Sequence, residues 1–389
     1  MGSPANSPGE RYMPAKSRSA EASRSPVVTS VQPASADAGA ARGDDGVRTL
    51  RCGVIGVGRM GRHHARIYKE LESVELAGVV DDSEDRREAI ADQHGCAAYE
   101  RVDELLAAGV DAVSVAVPTS HHLEVAIPFL EAGVACLIEK PMASDGVEAQ
   151  RLLDVADRTG AVLQVGHSER YNPAVRALQR ERVKNPAAGG IVPRFIEVHR
   201  VSPMTFRSVD VSVVFDMMIH DLDVVLMLMD GAEPVDVQAS GVPVITEHAD
   251  VCNARLTFDR PQGRCVANIT ASRLALKTER KIRIIGDDSY VSIDYAKKAG
   301  VVIRRTANTL QLEEVREALR DGADLSDLNY GELVTVEDLA IDDAEPLKMQ
   351  IEAFLEAVRT GQRPEVDARA GFAAVRTAER IVEAMKADW

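Results

Sequence analysis

Nowhere in the 389 residues does an apolar run approach the roughly 20 positions that a membrane-spanning helix needs. With 45% hydrophobic and 28% charged residues, the chain is expected to be water-soluble and to have no membrane partner. Positive charge is also scarce: 46 Lys and Arg stand against 61 Asp and Glu, a formal net charge of -15. A polyanion needs a basic face to bind, so this balance argues against a nucleic-acid partner. The five cysteines, Cys52, Cys96, Cys136, Cys252 and Cys265, are odd in number and lie in apolar runs without metal-ligand spacing. They exclude a disulfide framework, give no metal site, and suit reduced thiols in a cytoplasmic protein. There is no internal repeat, and no apolar h-region of about 7–15 residues, so no secretory signal is expected.

What is present is enough chain for two full cores. Residues 1–47 are rich in Ser, Ala, Pro, Gly and Arg without periodicity, and are expected to form a disordered tail. From residue 48 to 170, short apolar β-branched runs alternate with amphipathic helical stretches, the pattern of βαβ units. The expected strands are Leu50–Ile55, Val74–Val80, Ala112–Val117, Ala135–Ile138 and Val162–Val165, nearly all apolar, as in a parallel sheet covered on both faces. Helices are expected at Met60–Glu72, Glu84–His94, His121–Glu131 and Val147–Thr159.

Beyond residue 171 the pattern changes to extended segments, several of them alternating polar with apolar, which suits a large, mainly antiparallel sheet with one covered face. They are Phe195–Val201, Val235–Val242, Val251–Phe258, Arg264–Ala271, Arg280–Ile285 and Tyr290–Tyr295. Helices are expected at Ala174–Lys184, Val213–Leu228, Pro346–Arg359 and Ala368–Lys386, and Gln311–Glu337 reads as a mobile surface insertion. The expected fold class is therefore α/β, a doubly wound parallel sheet followed by a second α/β domain over 171–389.

The first strand runs into Gly56-Val57-Gly58-Arg59-Met60-Gly61 and then a helix. A lone G-x-G-x-x-G is weak, but this one has a strand before it, a helix after it and an acid at the end of the second strand. Gly56 permits the tight turn, Gly58 lets the backbone approach a pyrophosphate, and Gly61 lets helix pack on strand. The helix N-terminus then faces the phosphates, with Arg59 and Met60 in the turn. Asp81 ends the second strand, where a carboxylate accepts the ribose hydroxyls of NAD and repels the 2′-phosphate of NADP; Arg86 nearby moderates that preference. Asp81 and Asp82 are otherwise a solvated turn. Pro118, Thr119 and His122 follow the strand Ala112–Val117, where a dinucleotide rests, or they simply start the next helix.

Four segments, GVGRMGRHHA, VAVPTSHH, LIEKPMA and FDMMIHDLD, together resemble the glucose–fructose oxidoreductase / inositol dehydrogenase / MocA (Gfo/Idh/MocA) family of NAD(P)-dependent oxidoreductases. The resemblance runs from Leu50 to the C-terminus and centres on Glu139-Lys140-Pro141 and on Asp216 with His220. It implies a Rossmann domain, a second domain whose open sheet face often serves oligomer contacts (a homodimer or homotetramer), and hydride transfer at a ring hydroxyl or carbonyl of a sugar or nucleotide-sugar. Gly166–Pro173, Asp216–Asp223 and Asn268–Arg273 look most like members acting on UDP-N-acetylglucosamine at carbon 3.

Removing a carbinol hydride needs a base for the hydroxyl proton and a donor beside the oxygen. In this reading Lys140 holds the substrate oxygen, His220 is the general base, and Asp216 orients the ring or a substrate hydroxyl. Without the resemblance, a histidine on an apolar helix is more often a core residue, and Lys140 a surface lysine. Glu139 borders the cofactor or is only a structural partner. His167, Arg170, Asn172 and Arg207 are candidate substrate ligands; Asn172 equally starts a helix. A diphosphate substrate calls for converging guanidinium groups, and Arg194, Arg200 and Arg273 are available besides Arg170 and Arg207, each of them equally open to solvent or to pairing with the many acids. The alternative of another class is a regulatory or scaffold protein of the same fold that binds NAD without turnover.

Overall fold

Each apolar stretch in the first half of the chain is followed by a helix that must carry the chain back before the next strand starts, so the strands pair in parallel. The computed structural model describes residues 48–184, 190–206, 210–322 and 330–386. The expected tail lies outside the described residues. The first sheet contains β1 (Leu50–Ile55), β2 (Val74–Val80), β3 (Ala97–Tyr99), β4 (Ala112–Val115), β5 (Ala135–Glu139) and β6 (Leu163–Gly166). Between them run α1 (Gly61–Glu70), α2 (Glu84–His94), α3 (Val102–Ala107), α4 (His122–Glu131) and α5 (Gly146–Thr159). The order β3-β2-β1-β4-β5-β6 reverses direction between β1 and β4, which opens a crevice at their C-terminal ends. Every residue of β4, β5 and β6 is buried, as strands covered on both faces require. The short edge strand β3 and the helix α3 were not expected, because three and six residues are too few to show a period.

A turn at Ser168–Tyr171 and α6 (Pro173–Lys184) lead to the second sheet. Its strands are β7 (Phe195–Val201), β8 (Asp236–Val242), β9 (Val251–Phe258), β10 (Cys265–Ser272), β11 (Glu279–Ile285), β12 (Ser289–Asp294), β13 (Ala299–Arg305) and β14 (Val334–Asp338). Their order is β14-β13-β12-β11-β7-β10-β9-β8, with β7 and β10 parallel and every other pair antiparallel. Along β9 and β10 the pleat alternates: Ala254, Leu256, Ala267 and Ile269 are buried on one face, while Asn253 and Arg255 are exposed on the other. The covered face packs beneath α7 (Ile219–Leu228) and α10 (Ala368–Lys386).

Two segments carry structure that the sequence does not show. The stretch taken for a mobile insertion holds α8 (Thr309–Arg320), and its end supplies the edge strand β14. Asn308 Oδ1 accepts from Gln311 N at 3.0 Å while Gln311 Oε1 accepts from Asn308 N at 2.9 Å, a capping box that starts the helix. Second, α9 (Pro346–Thr360), placed by its position in the chain with the second domain, packs against the first sheet. Its buried Ile351, Phe354 and Leu355 join one apolar cluster with Leu50, Cys52, Val54 and Leu137. Sequence order does not reveal this, because an amphipathic helix states that it has an apolar face and not which surface will cover it.

Phe354 is fully buried in that cluster. Phe354→Ala is therefore expected to lower stability by about 3–5 kcal/mol in chemical denaturation. A loss under about 1 kcal/mol would show that α9 is not part of the first core.

Candidate active site

The glycine turn is set by backbone contacts. Gly56 has φ +81°, and a Cβ on it would lie 2.8 Å from the amide nitrogen of Val117. A Cβ on Gly61 would lie 1.8 Å from the carbonyl oxygen of Gly56, so α1 can approach β1 only with glycine there. Gly58 differs: a Cβ there would meet nothing within 4 Å. It faces a cavity of about 1040 Å³ whose walls include Gly56, Gly58, Arg59, Met60, Asp81, Arg86 and Pro118. No side chain caps α1 and no acid sits in its first turn, so its positive end is left for an anion. A dinucleotide fits these residues: open space over a bare backbone, beside a helix N-terminus, with a carboxylate at the far end.

Asp81 is that carboxylate. Its Oδ2 accepts from Val57 N at 2.9 Å, and its Oδ1 accepts from Ser83 N at 2.9 Å and from Arg86 Nη2 at 2.7 Å. Burial pushes its pKa up, but the Arg86 guanidinium and the two amides outweigh that and hold it below the usual carboxylate range. Arg101, Val102 and His121 also line the cavity and were not singled out from the sequence. Arg101 and Val102 border the unexpected α3, so nothing flagged them; His121 follows the expected Pro118-Thr119 loop.

His122 is placed differently from the expectation. It is buried, with Nε2 3.0 Å from the Val117 carbonyl and Nδ1 3.0 Å from the Pro141 carbonyl, so its ring N–H is taken up by the chain itself. It ties the β4 loop to the β5 loop instead of facing the cavity. Thr119 sits in a 3₁₀ turn and is not on the cavity wall, whereas Pro118 is.

Lys140 follows β5 at the same edge of the sheet and is half-buried. Its Nζ donates to the main-chain carbonyl of Asp216 at 2.8 Å. Asp216 lies in a single π-helical turn, Val214–Met218, that opens into α7 one residue before His220. Such turns interrupt the regular ladder and redirect backbone groups. Lys140 therefore meets Asp216 at its main-chain carbonyl, whereas the expectation gave the Asp216 carboxylate the task of orienting the ring or a substrate hydroxyl. Burial lowers the Lys140 pKa, opposed by Asp216 and Glu139 and reinforced by Arg200 and Arg59. His220 is pushed well below the usual imidazole range by burial and then by Lys140, Arg200 and His167. Its Nδ1 is buried without a hydrogen-bond partner among the described residues. His167 is fully buried beside this group, and both its ring nitrogens lack partners among the described residues. Among the described residues no group of three His, Cys, Asp or Glu could hold a metal ion.

Arg170 and Asn172 are not available to a substrate. Arg170 forms a buried two-pronged pair with Asp223, at 2.7 and 2.6 Å, and donates again to the Glu365 carbonyl. Asn172 accepts from Ala174 N at 3.0 Å and donates to Glu169 at 3.1 Å, which starts α6. Arg207 lies outside the described residues. Arg194 pairs with Asp287, Arg200 with Asp221 and Glu169, and Arg273 with Asp250. The expected convergence of these guanidinium groups on a diphosphate is absent from the described residues, because each already neutralises a carboxylate.

Residues 50–167 match the family model described as oxidoreductase family, NAD-binding Rossmann fold, and residues 210–388 match that family's C-terminal alpha/beta domain. The chain is 39% identical over 339 residues to a UDP-N-acetylglucosamine 3-dehydrogenase from Acidithiobacillus ferrooxidans, covering 87% of this chain and 98% of that protein. An inositol 2-dehydrogenase from Rhizobium meliloti is 27% identical over 66% of this chain and 78% of its own length. A solved structure of the Acidithiobacillus ferrooxidans enzyme superposes with a TM-score of 0.74 at 37% identity, covering 87% of this chain and 98% of that one.

The glycine geometry makes opposite demands at two positions. Gly58→Ala is expected to leave thermal stability unchanged and weaken dinucleotide binding by fluorescence titration, since its Cβ enters only the cavity. Gly61→Ala should cost about 1–3 kcal/mol of stability as well, since its Cβ strikes backbone. Equal stability losses in the two variants would overturn this assignment.

Proposed function

The chain belongs to the Gfo/Idh/MocA family of oxidoreductases, and from that footing we propose that it is an NAD-dependent dehydrogenase whose substrate is a nucleotide-sugar, UDP-N-acetylglucosamine oxidised at carbon 3. That it transfers a hydride between nicotinamide and a ring CH–OH follows from the family. The specific substrate rests on a relative that this chain matches along 98% of the relative's length. One observation carries the catalytic assignment: Lys140 Nζ, held 2.8 Å from the Asp216 carbonyl at the edge of the dinucleotide sheet, beside His220.

The nicotinamide, when bound, takes up the hydride. The proton is handled by the chain. His220 is neutral because burial and cationic neighbours disfavour its charged form, so one ring nitrogen keeps a lone pair for the hydroxyl proton. Lys140 donates from Nζ to the same oxygen as negative charge grows there, and the Asp216 carbonyl aims it. His167 borders this group with ring nitrogens that have no partner among the described residues and is the remaining candidate contact for a substrate hydroxyl. Glu139 stands behind Lys140 and shapes its field.

Asp81 supports NAD over NADP, since an ionised carboxylate at the ribose repels a phosphate. Arg86 already pairs with it and softens the discrimination. The exposed face of the second sheet supports a homodimer or homotetramer, and five unpaired cysteines support a reducing cytoplasmic setting. No helix among the described residues is long and apolar enough to cross a membrane.

Nicotinamide absorbance recorded with UDP-sugars, inositols and free sugars tests the reading. Activity confined to UDP-N-acetylglucosamine, with NAD preferred, is expected; an inositol preference, an NADP preference or no turnover at all would refute it. Lys140→Ala and His220→Ala should each lower kcat by roughly 10²–10⁴-fold with NAD affinity nearly unchanged. In the unmutated enzyme, kcat/KM should fall as pH rises through a lysine pKa below the usual range, because Lys140 then loses the proton it donates. On the acid side, activity should persist below the usual imidazole range before His220 is protonated. An acid limb near pH ~6.5 would assign the base elsewhere.

A further inference from the structure

His64 sits on α1 with no exposed surface, and the reaction scheme gives it nothing to do. It is nevertheless the centre of a continuous polar chain through the first sheet. Tyr68 Oη lies 2.8 Å from Ser114 Oγ, Ser114 Oγ lies 2.9 Å from His64 Nδ1, and His64 Nε2 lies 3.0 Å from Glu139 Oε1. The other carboxylate oxygen of Glu139 accepts from the backbone N–H of Lys140 at 3.2 Å. Tyr68 and Ser114 are fully buried and Glu139 is 9% exposed. On β6, a Cβ at Gly166 would lie 3.1 Å from the Glu139 carboxylate, so the neighbouring strand leaves just enough room for it.

The donors in this chain can be assigned one after another. An ionised carboxylate only accepts, so His64 must donate from Nε2. A neutral imidazole then has a bare Nδ1, which accepts a hydrogen bond from the Ser114 hydroxyl. The Ser114 oxygen in turn accepts from Tyr68, whose hydroxyl is kept protonated by burial. Every donor points toward Glu139. Burial alone would raise the pKa of Glu139, but its contacts with His64, followed by the backbone N–H and charge of Lys140, bring it below the usual carboxylate range.

We propose that Tyr68, Ser114 and His64 form a one-way hydrogen-bond chain that fixes Glu139 as a carboxylate and thereby holds the Lys140 backbone in register with Asp216. His64 is a positioning residue, coupling the helix of the glycine turn to the end of β5. Lys140 is then held at both ends, its N–H on Glu139 and its Nζ on the Asp216 carbonyl. The catalytic consequence rests on the role of Lys140 proposed above, whereas the chain and its direction do not.

The direction is read by two-bond ¹⁵N–¹H spectra of the full-length protein labelled with [¹⁵N]histidine, at mildly alkaline pH, with His64 identified by its loss in His64→Gln. The Nε2–H tautomer is expected; an Nδ1–H tautomer or a doubly protonated ring would overturn the chain. This measurement needs neither sugar nor dinucleotide, so it stands apart from any failure of the substrate assignment. With an active substrate, Ser114→Ala should lower kcat about 10- to 100-fold while NAD affinity holds. Adding it to Glu139→Gln should lower kcat no further, and additive losses would overturn the coupling. Tyr68→Phe, which keeps the ring, should lower kcat in the same direction and provides the reading if Ser114→Ala does not fold; unchanged kcat there would also count against it.

Discussion

Two buried ion pairs hold α7, and the placement of Asp216 and His220 near Lys140 depends on them. Arg170, just past β6, grips Asp223, and Arg200, on β7, grips Asp221 and reaches Glu169. One arginine belongs to the segment leaving the first sheet and the other to the second sheet, so the helix that carries His220 is fastened to both. Buried pairs of this kind contribute little net stability, because desolvation offsets the attraction. Their value here is directional. Each is two-pronged, which fixes orientation as well as distance, and losing one partner would leave a charge buried without compensation.

With α7 fastened, the π turn at Val214–Met218 can present the Asp216 carbonyl to Lys140. The result is a crowd of cationic or potentially cationic groups, Lys140, His220 and His167 with Arg200 behind them, in a protein whose surface is strongly acidic. Mutual repulsion and burial keep His220 neutral and lower Lys140, while Glu139 and Asp216 keep Lys140 from losing its proton altogether. A neutral imidazole next to a lysine whose proton is loosened is the pairing that hydride removal from an alcohol requires.

The arginines show how little of a charged side chain's role is written in its local sequence. In sequence, Arg170, Arg194, Arg200 and Arg273 could each meet a diphosphate or pair with one of the many acids, and each is half of a carboxylate pair. Their partners lie between 21 and 93 positions away, beyond any local pattern. His122 fails similarly, because its two carbonyl partners come from the ends of different strands.

By itself the sequence determined the parallel sheet, its glycine turn and the acid after β2, since these depend on local periodicity and on φ values that few residues tolerate. Leu50–Ile55, Val74–Val80 and Glu84–His94 appear at the expected residues. It also marked Lys140, Asp216 and His220 through the resemblance of short segments. Only the tertiary structure decided that the Asp216 carbonyl would accept from Lys140, that α9 would pack on the first sheet, and that His64 would join Glu139 in a buried chain. The physical reason is common to all three. Period and propensity say which face of an element is apolar, whereas the partner of a buried polar group is chosen by whatever distant segment must satisfy it.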